Sequence, residues 1–314
     1  MKKTFQELFN GNETFLMEGA LGERLKHEYH LDISNEVAMA SLVYQKNGCA
    51  ALRNLWLQYL TIAKQYNLPF LATTPTRRAN RERVKQGGYT ESIIGDNVKF
   101  IRAVLNEIDH LSYIGGLMGC KGDAYTGEGN LPEEEAYEFH CWQADCFKKA
   151  GVDFLYAGIM PTLPEAIGMA HAMSDTGLPY IISFTIRPNG CLIDSTSIHT
   201  AIEMIDAVTP TPPLCYMTNC VHPRFVGEAL QQPFNATPLV RKRFRGIQAN
   251  TAALDYDEMD GSNIIKTTSS PVSLAADMLD LKRKFNFNIF GGCCGTDDSY
   301  MREIAKVISS FLIQ

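Results

Sequence analysis

Two adjacent cysteines, Cys293 and Cys294, stand in the glycine-bounded stretch Gly291-Gly292-Cys293-Cys294-Gly295-Thr296, directly after the strand-like run Phe287-Asn288-Ile289-Phe290. Vicinal thiols on an open turn make poor core residues and good ligands for a soft metal ion. A third thiol, Cys220, holds a matching place in Tyr216-Met217-Thr218-Asn219-Cys220-Val221-His222-Pro223, again at the end of a strand-like run. Three thiolates suit zinc, whose borderline-soft character favours sulfur, and they leave its tetrahedral shell one position short. A free thiol of pKa about 8.5 is only a few per cent ionised at pH 7, whereas metal coordination deprotonates it outright. The chemistry offered is therefore attack by a substrate sulfur held at the fourth position. A competing arrangement is a closed structural Cys₃His site, because His222 lies two residues beyond Cys220. The bland alternative, two small core residues in a tight turn and an unrelated buried thiol, needs three independent placements to coincide.

A scaffold must bring these thiols together, and the sequence supplies one. Apolar strand-like runs recur between helical patterns: Phe15 to Gly19, Leu68 to Thr74, Tyr113 to Gly119, Val152 to Met160, Tyr180 to Ile186, Leu214 to Cys220, Phe244 to Asn250 and Asn288 to Gly292. Several are apolar on both faces, as in Tyr180-Ile181-Ile182-Ser183-Phe184, which suits a parallel sheet covered by helices. Helix punctuation agrees: Pro132-Glu133-Glu134-Glu135 opens a helix that ends at Gly151, and a second runs from about Cys49 to Tyr66. Repeated strand–helix units over this length predict an α/β fold, a (β/α)₈ TIM barrel forming a single domain over 1–314. No Gly-x-Gly-x-x-Gly follows the first strand, so a dinucleotide-binding fold lacks its fingerprint. In such barrels the strand C-terminal ends form the active face, where Cys220 and Cys293-Cys294 both fall, two βα units apart. The segment Gln231-Gln232-Pro233-Phe234-Asn235-Ala236-Thr237-Pro238 reads as a long βα excursion, and Asp255, Asp257, Glu258 and Asp260 as a solvated acidic loop.

Composition narrows the partners. A formal charge of −6 and a pI near 5.7 argue against a broad nucleic-acid footprint, and no apolar run approaches the length that spans a bilayer. The N-terminal stretch lacks the apolar core of a secretion signal, and the count of nine cysteines is odd. Unpaired thiols then place the protein in a reducing cytoplasm. Cys49, Cys120, Cys141, Cys146, Cys191 and Cys215 have no comparable partners.

The motifs converge on a family. From Met17-Glu18-Gly19-Ala20-Leu21-Gly22 through Asn219-Cys220 to Gly291-Gly292-Cys293-Cys294-Gly295-Thr296 the chain resembles the homocysteine S-methyltransferase family of zinc-dependent (β/α)₈ barrels, with supporting matches at Ile182-Ser183-Phe184-Thr185 and Lys149-Ala150-Gly151-Val152-Asp153. The resemblance implies that Cys220, Cys293 and Cys294 hold zinc and that the substrate sulfur takes the vacant position before a direct displacement at a methyl carbon. It implies a small-molecule thiol acceptor and methyl donor and a role in methionine biosynthesis. The donor is a sulfonium compound such as S-methylmethionine or, alternatively, a corrinoid protein acting as a separate partner. It also implies a substrate-binding role for Glu18 with Gly19; Asn219, at a strand end beside Cys220, is placed to hydrogen-bond substrate or to brace the metal loop.

Three departures bear on the substrate. The family's Asp-Gly-Gly after the first strand reads Glu18-Gly19-Ala20 here, which keeps the acid one methylene longer. Its Cys-Glu-Thr-x-Pro after the fourth strand reads Ala157-Gly158-Ile159-Met160-Pro161, so the second carboxylate that would meet an ammonium group is gone. Arg77 stands in Thr76-Arg77-Arg78-Ala79-Asn80, where the family commonly has an aromatic residue, and arginine suits bidentate binding of a carboxylate. Arg78, Arg81 and Arg83 read as loop decoration. Homocysteine is the expected acceptor, with a related, acidic thiol as the variant that Gly158 and Arg77 suggest. A zinc-bearing barrel that binds or regulates without methyl transfer is the alternative outside enzymology.

Overall fold

A computed structural model describes residues 2–255 and 266–313. The strands are β1 (Phe15–Met17), β2 (Phe70–Thr73), β3 (Ser112–Gly119), β4 (Phe154–Met160), β5 (Tyr180–Phe184), β6 (Cys215–Val221), β7 (Phe244–Ala249) and β8 (Ile289–Gly292). They pair in parallel in chain order, and β8 returns to β1, closing the barrel. The TIM-barrel expectation holds, and every strand begins and ends within two residues of its sequence-read run. Asp257, Glu258 and Asp260 lie outside the described residues.

The first five helices are α1 (Phe5–Asn10), α2 (Gly22–His27), α3 (Lys46–Gln65), α4 (Arg81–Gln86) and α5 (Ser92–Leu105). Then come α6 (Glu133–Ala150), α7 (Leu163–Ser174), α8 (Ile198–Val208), α9 (Pro223–Gln231), α10 (Pro238–Arg243), α11 (Pro271–Phe285) and α12 (Asp298–Leu312). Their limits follow from local chemistry. Three glutamates occupy the first turn of α6, and Gly151 closes it in the left-handed conformation. Asp297 caps α12 by accepting from the Ser299 and Tyr300 amides. Among the described residues, no helix is long and apolar enough to cross a membrane. The stretch 231–238 is not a βα excursion: it joins α9 to α10, on the way into β7, because Pro238 restarts a helix that Gln232 had ended.

Strand alternation divides the interior into two cores. Outward residues such as Leu16, Leu155, Ile182 and Ile247 pack under the helices. Inward residues such as Phe15, Leu71, Phe154, Ile181 and Met217 fill the barrel, and α1 plugs its N-terminal end with Phe5 and Phe9. The Phe5 ring lies 4.7 Å from that of Phe154 and 5.2 Å from that of Phe15. Towards the strand C-terminal ends, the inward positions become polar: Thr73, Ser183, Asn219 and Gln248 are all buried. Apolar packing at one end thus positions a polar chamber at the other.

Candidate metal and thiol site

Cys220 and the Cys293-Cys294 pair leave the barrel on either side of β7. Their three sulfurs lie within 4.8 Å of one another, with Cys220 Sγ and Cys294 Sγ 3.3 Å apart. Zinc–sulfur bonds of about 2.3 Å at tetrahedral angles set ligating sulfurs roughly 3.8 Å apart, so the triangle fits one tetrahedral ion. Local backbone geometry builds it. Cys220 adopts φ 58° at the end of β6, a conformation that side-chain-bearing residues seldom take without compensation. After β8, Cys293 N–H bonds Ala249 O at 2.7 Å and Thr251 N–H bonds Cys294 O at 3.1 Å. Gly295 then reverses the chain at φ 78°, against the Thr251 side chain. Thr296 ties the turn to β1, donating from Oγ1 to Cys293 O at 2.6 Å and accepting from Ala20 N–H at 3.1 Å.

The thiols do not ionise alike. Hydrogen bonds from Cys293 and Cys294 hold the Cys220 thiol well below the ordinary thiol range. The same bonds to Cys220 push Cys293 and Cys294 well above it. Sharing of protons among three close sulfurs is relieved when a cation takes the place of the thiol protons, which is the chemistry of a thiolate metal site. Tyr125, on the loop between β3 and α6, adds a hydrogen bond to Cys220. The negative charge of Cys220 and burial hold its own hydroxyl far above the phenol range.

That loop is anchored by one carboxylate. Glu165 on α7 is fully buried and accepts from Lys121 N–H at 2.6 Å, from Leu131 N–H at 3.2 Å and from His140 Nε2 at 3.0 Å. Within the loop, Asp123 accepts from the Tyr125 and Thr126 amides, both at 2.8 Å, forming a turn that sets Tyr125 in place.

A cavity of about 210 Å³ opens beside the sulfurs, and Glu18, Gly19, Arg77, Asn219, Cys293 and Cys294 all line it. The structure therefore gathers these sequence-read residues around one space. Glu18 is 3 % exposed, and burial raises its carboxyl to about 7 against the opposing hydrogen bonds from Thr73. Arg77 is half-buried and lies across Gly119 at the end of β3. Gly158 lines the cavity too, beside Leu117. Arg78 and Arg81 are exposed, while Arg83 braces the chain near Asn35 and Glu36 by donating to their carbonyls.

His222 does not join the cluster. It caps α9 by accepting from Arg224 N–H at 3.3 Å, and its Nε2 pairs with Ser269 Oγ at 2.8 Å. Burial lowers its pKa to about 4. With both ring nitrogens engaged, the group able to hold a metal ion among the described residues is Cys220, Cys293 and Cys294 alone.

Sequence reasoning passed over Tyr125, Tyr156 and Gln248. Tyr156 and Gln248 carry a readable signal, since they share inward parity with Phe154 and with Gly246 on their strands. Tyr125 sits in a loop whose path only the fold determines.

Comparison with known proteins agrees with this architecture. The family model described as homocysteine S-methyltransferase matches residues 15–308. No curated protein matches the sequence significantly. Among solved structures, the homocysteine methyltransferase MmuM from Escherichia coli in its metallated form is 19% identical at a TM-score of 0.74, covering 96% of this chain and 98% of that one. Its oxidized form is 18% identical at a TM-score of 0.75, with the same coverage, and its apo form 20% identical at 0.67, covering 95% and 97%. At these identities the structural likeness speaks for the fold, and the family match speaks for the chemistry. The barrel, its rim of three thiols and the match over nearly its whole length lead to one statement: the chain belongs to the homocysteine S-methyltransferase family and is a methyltransferase.

Proposed function

We propose that the protein is a zinc-dependent S-methyltransferase that moves a methyl group from a small-molecule donor to the thiol of homocysteine or a related acidic thiol. The observation that carries this reading is the triangle of Cys220, Cys293 and Cys294 at the edge of a cavity whose other side holds Glu18. When bound there, zinc supplies the charge that keeps an acceptor thiol ionised at neutral pH.

The chain's own residues do the rest. Glu18 receives an ammonium group, which restores the carboxylate that burial alone holds half-neutral near pH 7. Arg77 at the rim receives a carboxylate. The acceptor sulfur, its proton given up to solvent, forms a bond to the methyl carbon while the donor's bond breaks and its leaving group departs with the electron pair. No base acts at that carbon, so positioning supplies most of the acceleration. The free thiols of the chain suit a reducing compartment such as the cytoplasm.

The acceptor is where this chain departs from its relatives. Glu18 stands without a second acid at Gly158, and Arg77 adds positive charge, which favours a less cationic thiol. The test is metal analysis of the purified protein followed by methyl transfer from S-methylmethionine to homocysteine and to mercapto acids. One equivalent of zinc with turnover of a thiol supports the reading. A metal-free protein that turns over no thiol overturns it.

A further inference from the structure

The buried amides at the cavity floor have a direction, and it can be read from one atom that can only donate. Ile159 takes φ 58° at the end of β4, and its backbone N–H donates to Asn219 Oδ1 at 3.3 Å. Ser183 Oγ donates to the same oxygen. Asn219 therefore turns Nδ2 the other way, where it donates to Gln248 Oε1. That oxygen also accepts from the Tyr156 hydroxyl at 2.8 Å. With Oε1 doubly engaged, the end of Gln248 that remains is its amide nitrogen, for which no protein acceptor is present among the described residues.

Gln248 is 7 % exposed and lines the cavity with Glu18, Cys293 and Cys294. Space for it exists because Gly291, its neighbour on β8, lacks a side chain: a Cβ there would come within 2.8 Å of Gln248 Cγ. The amide nitrogen is not sealed away: it opens on the cavity, where a ligand oxygen can accept from it in place of water. Glu18, which accepts hydrogen bonds, and Gln248, which donates them, give the floor two unlike ends.

We infer that Gln248 is a specificity-determining residue whose amide nitrogen donates to a carboxylate oxygen of the thiol acceptor held beside Cys220, Cys293 and Cys294. This rests on the proposed thiol chemistry of the site and adds to it a direct selector for the acid end of the acceptor. Ile159, Ser183, Asn219 and Tyr156 act through it as positioning residues, because they fix which end of the amide faces the ligand.

The test is calorimetric binding of 3-mercaptopropionate and 1-propanethiol to the zinc-loaded protein, with no turnover required. The native protein is expected to prefer the mercapto acid by about 10- to 100-fold, the usual value of a hydrogen bond to a charged group. Gln248→Glu keeps an oxygen for the Asn219 and Tyr156 bonds and replaces only the amide nitrogen, so the preference is expected to vanish or invert. Gln248→Met removes the donor without adding charge and is expected to cut the preference by about tenfold, leaving the part that Arg77 supplies, while propanethiol affinity stays within about threefold. A native protein indifferent to the carboxylate, an unchanged preference in both variants, or equal losses for the two thiols in the Met variant overturns the inference. If the native protein binds neither thiol, the open sulfur position itself fails, and that outcome appears before any substitution is made.

Discussion

Thr73 holds the Glu18 carboxyl by two bonds, one from its backbone N–H at 3.2 Å and one from its hydroxyl. Thr73 ends β2 and Glu18 follows the last residue of the adjacent β1, so barrel pairing brings the two together. These bonds favour the charged form, and burial outweighs them. The acid lining the cavity beside the sulfurs is therefore one whose charge changes near neutrality.

Stability should record that titration. Glu18 is raised from the ordinary carboxyl value of 4.5 to about 7, so the folded protein binds its proton more tightly than the unfolded chain does. Stability falls as pH rises from about 4.5 through 7, and the penalty is complete above that. Glu18→Gln removes it. In the metal-free protein the variant should match the wild type near pH 4.5 and exceed it at pH 8 by about 2–3 kcal/mol, read from urea midpoints across the range. Identical pH profiles for the two proteins would show that Glu18 titrates normally.

Removing one sulfur should remove the metal. Cys220 is the one sulfur of the triangle supplied by β6, so Cys220→Ser takes away the cluster's link to that strand. Bound metal is expected to drop from about one equivalent to near zero, with loss of transfer activity of at least about 100-fold. The same metal loss in the wild type, by chelation, should lower the melting temperature because the ion binds only the native arrangement. Full metal content in Cys220→Ser would place the ion elsewhere.

Asn219→Ala should unfasten the end of β4. Ile159 N–H and Ser183 Oγ both use the Asn219 oxygen, and Gln248 loses the bond that orients it. A buried donor without a partner costs about 1–3 kcal/mol, and a larger total is expected here because Ile159 relies on that bond to remain at φ 58°. Chemical denaturation gives the loss, and metal stoichiometry should remain unchanged.

Glu165→Ala should free the loop that carries Tyr125. Two backbone amides and His140 lose their common acceptor at once, for a cost of at least about 3 kcal/mol. Hydrogen exchange of residues 121–131 should speed up much more than exchange in the strands. Uniform protection loss across the barrel would mean that Glu165 supports the whole fold.

The barrel was legible because its runs of apolar residues are long, regularly spaced and bounded by good turn chemistry, as at Gly151. The sulfur cluster was legible because Cys220 and the Cys293-Cys294 pair sit at strand ends two units apart, and parallel closure brings alternate strand ends to one rim. The helix that plugs the barrel, Phe5–Asn10, carries only one turn and a half of pattern, too little to separate it from an ordinary leader segment. His222 fits a ligand by spacing alone. What directs it away is Ser269, 47 residues later, which no local pattern reveals. Tyr125 and Glu165 escaped for the same reason, since both act through contacts between distant segments. Gln248 was within reach of strand parity, but its direction needed the Ile159 amide.

The sulfur ligands straddle β7, and this makes the rim a hoop with a clasp. Eight strands joined edge to edge resist splaying through the seams between them, and the sulfurs bracket the seams that β7 makes with β6 and β8. A cation gripped by Cys220 on one side and Cys293-Cys294 on the other fastens three staves at once, in a place where β6 and β7 already show irregular register. Catalysis and hoop strength would then share one ion.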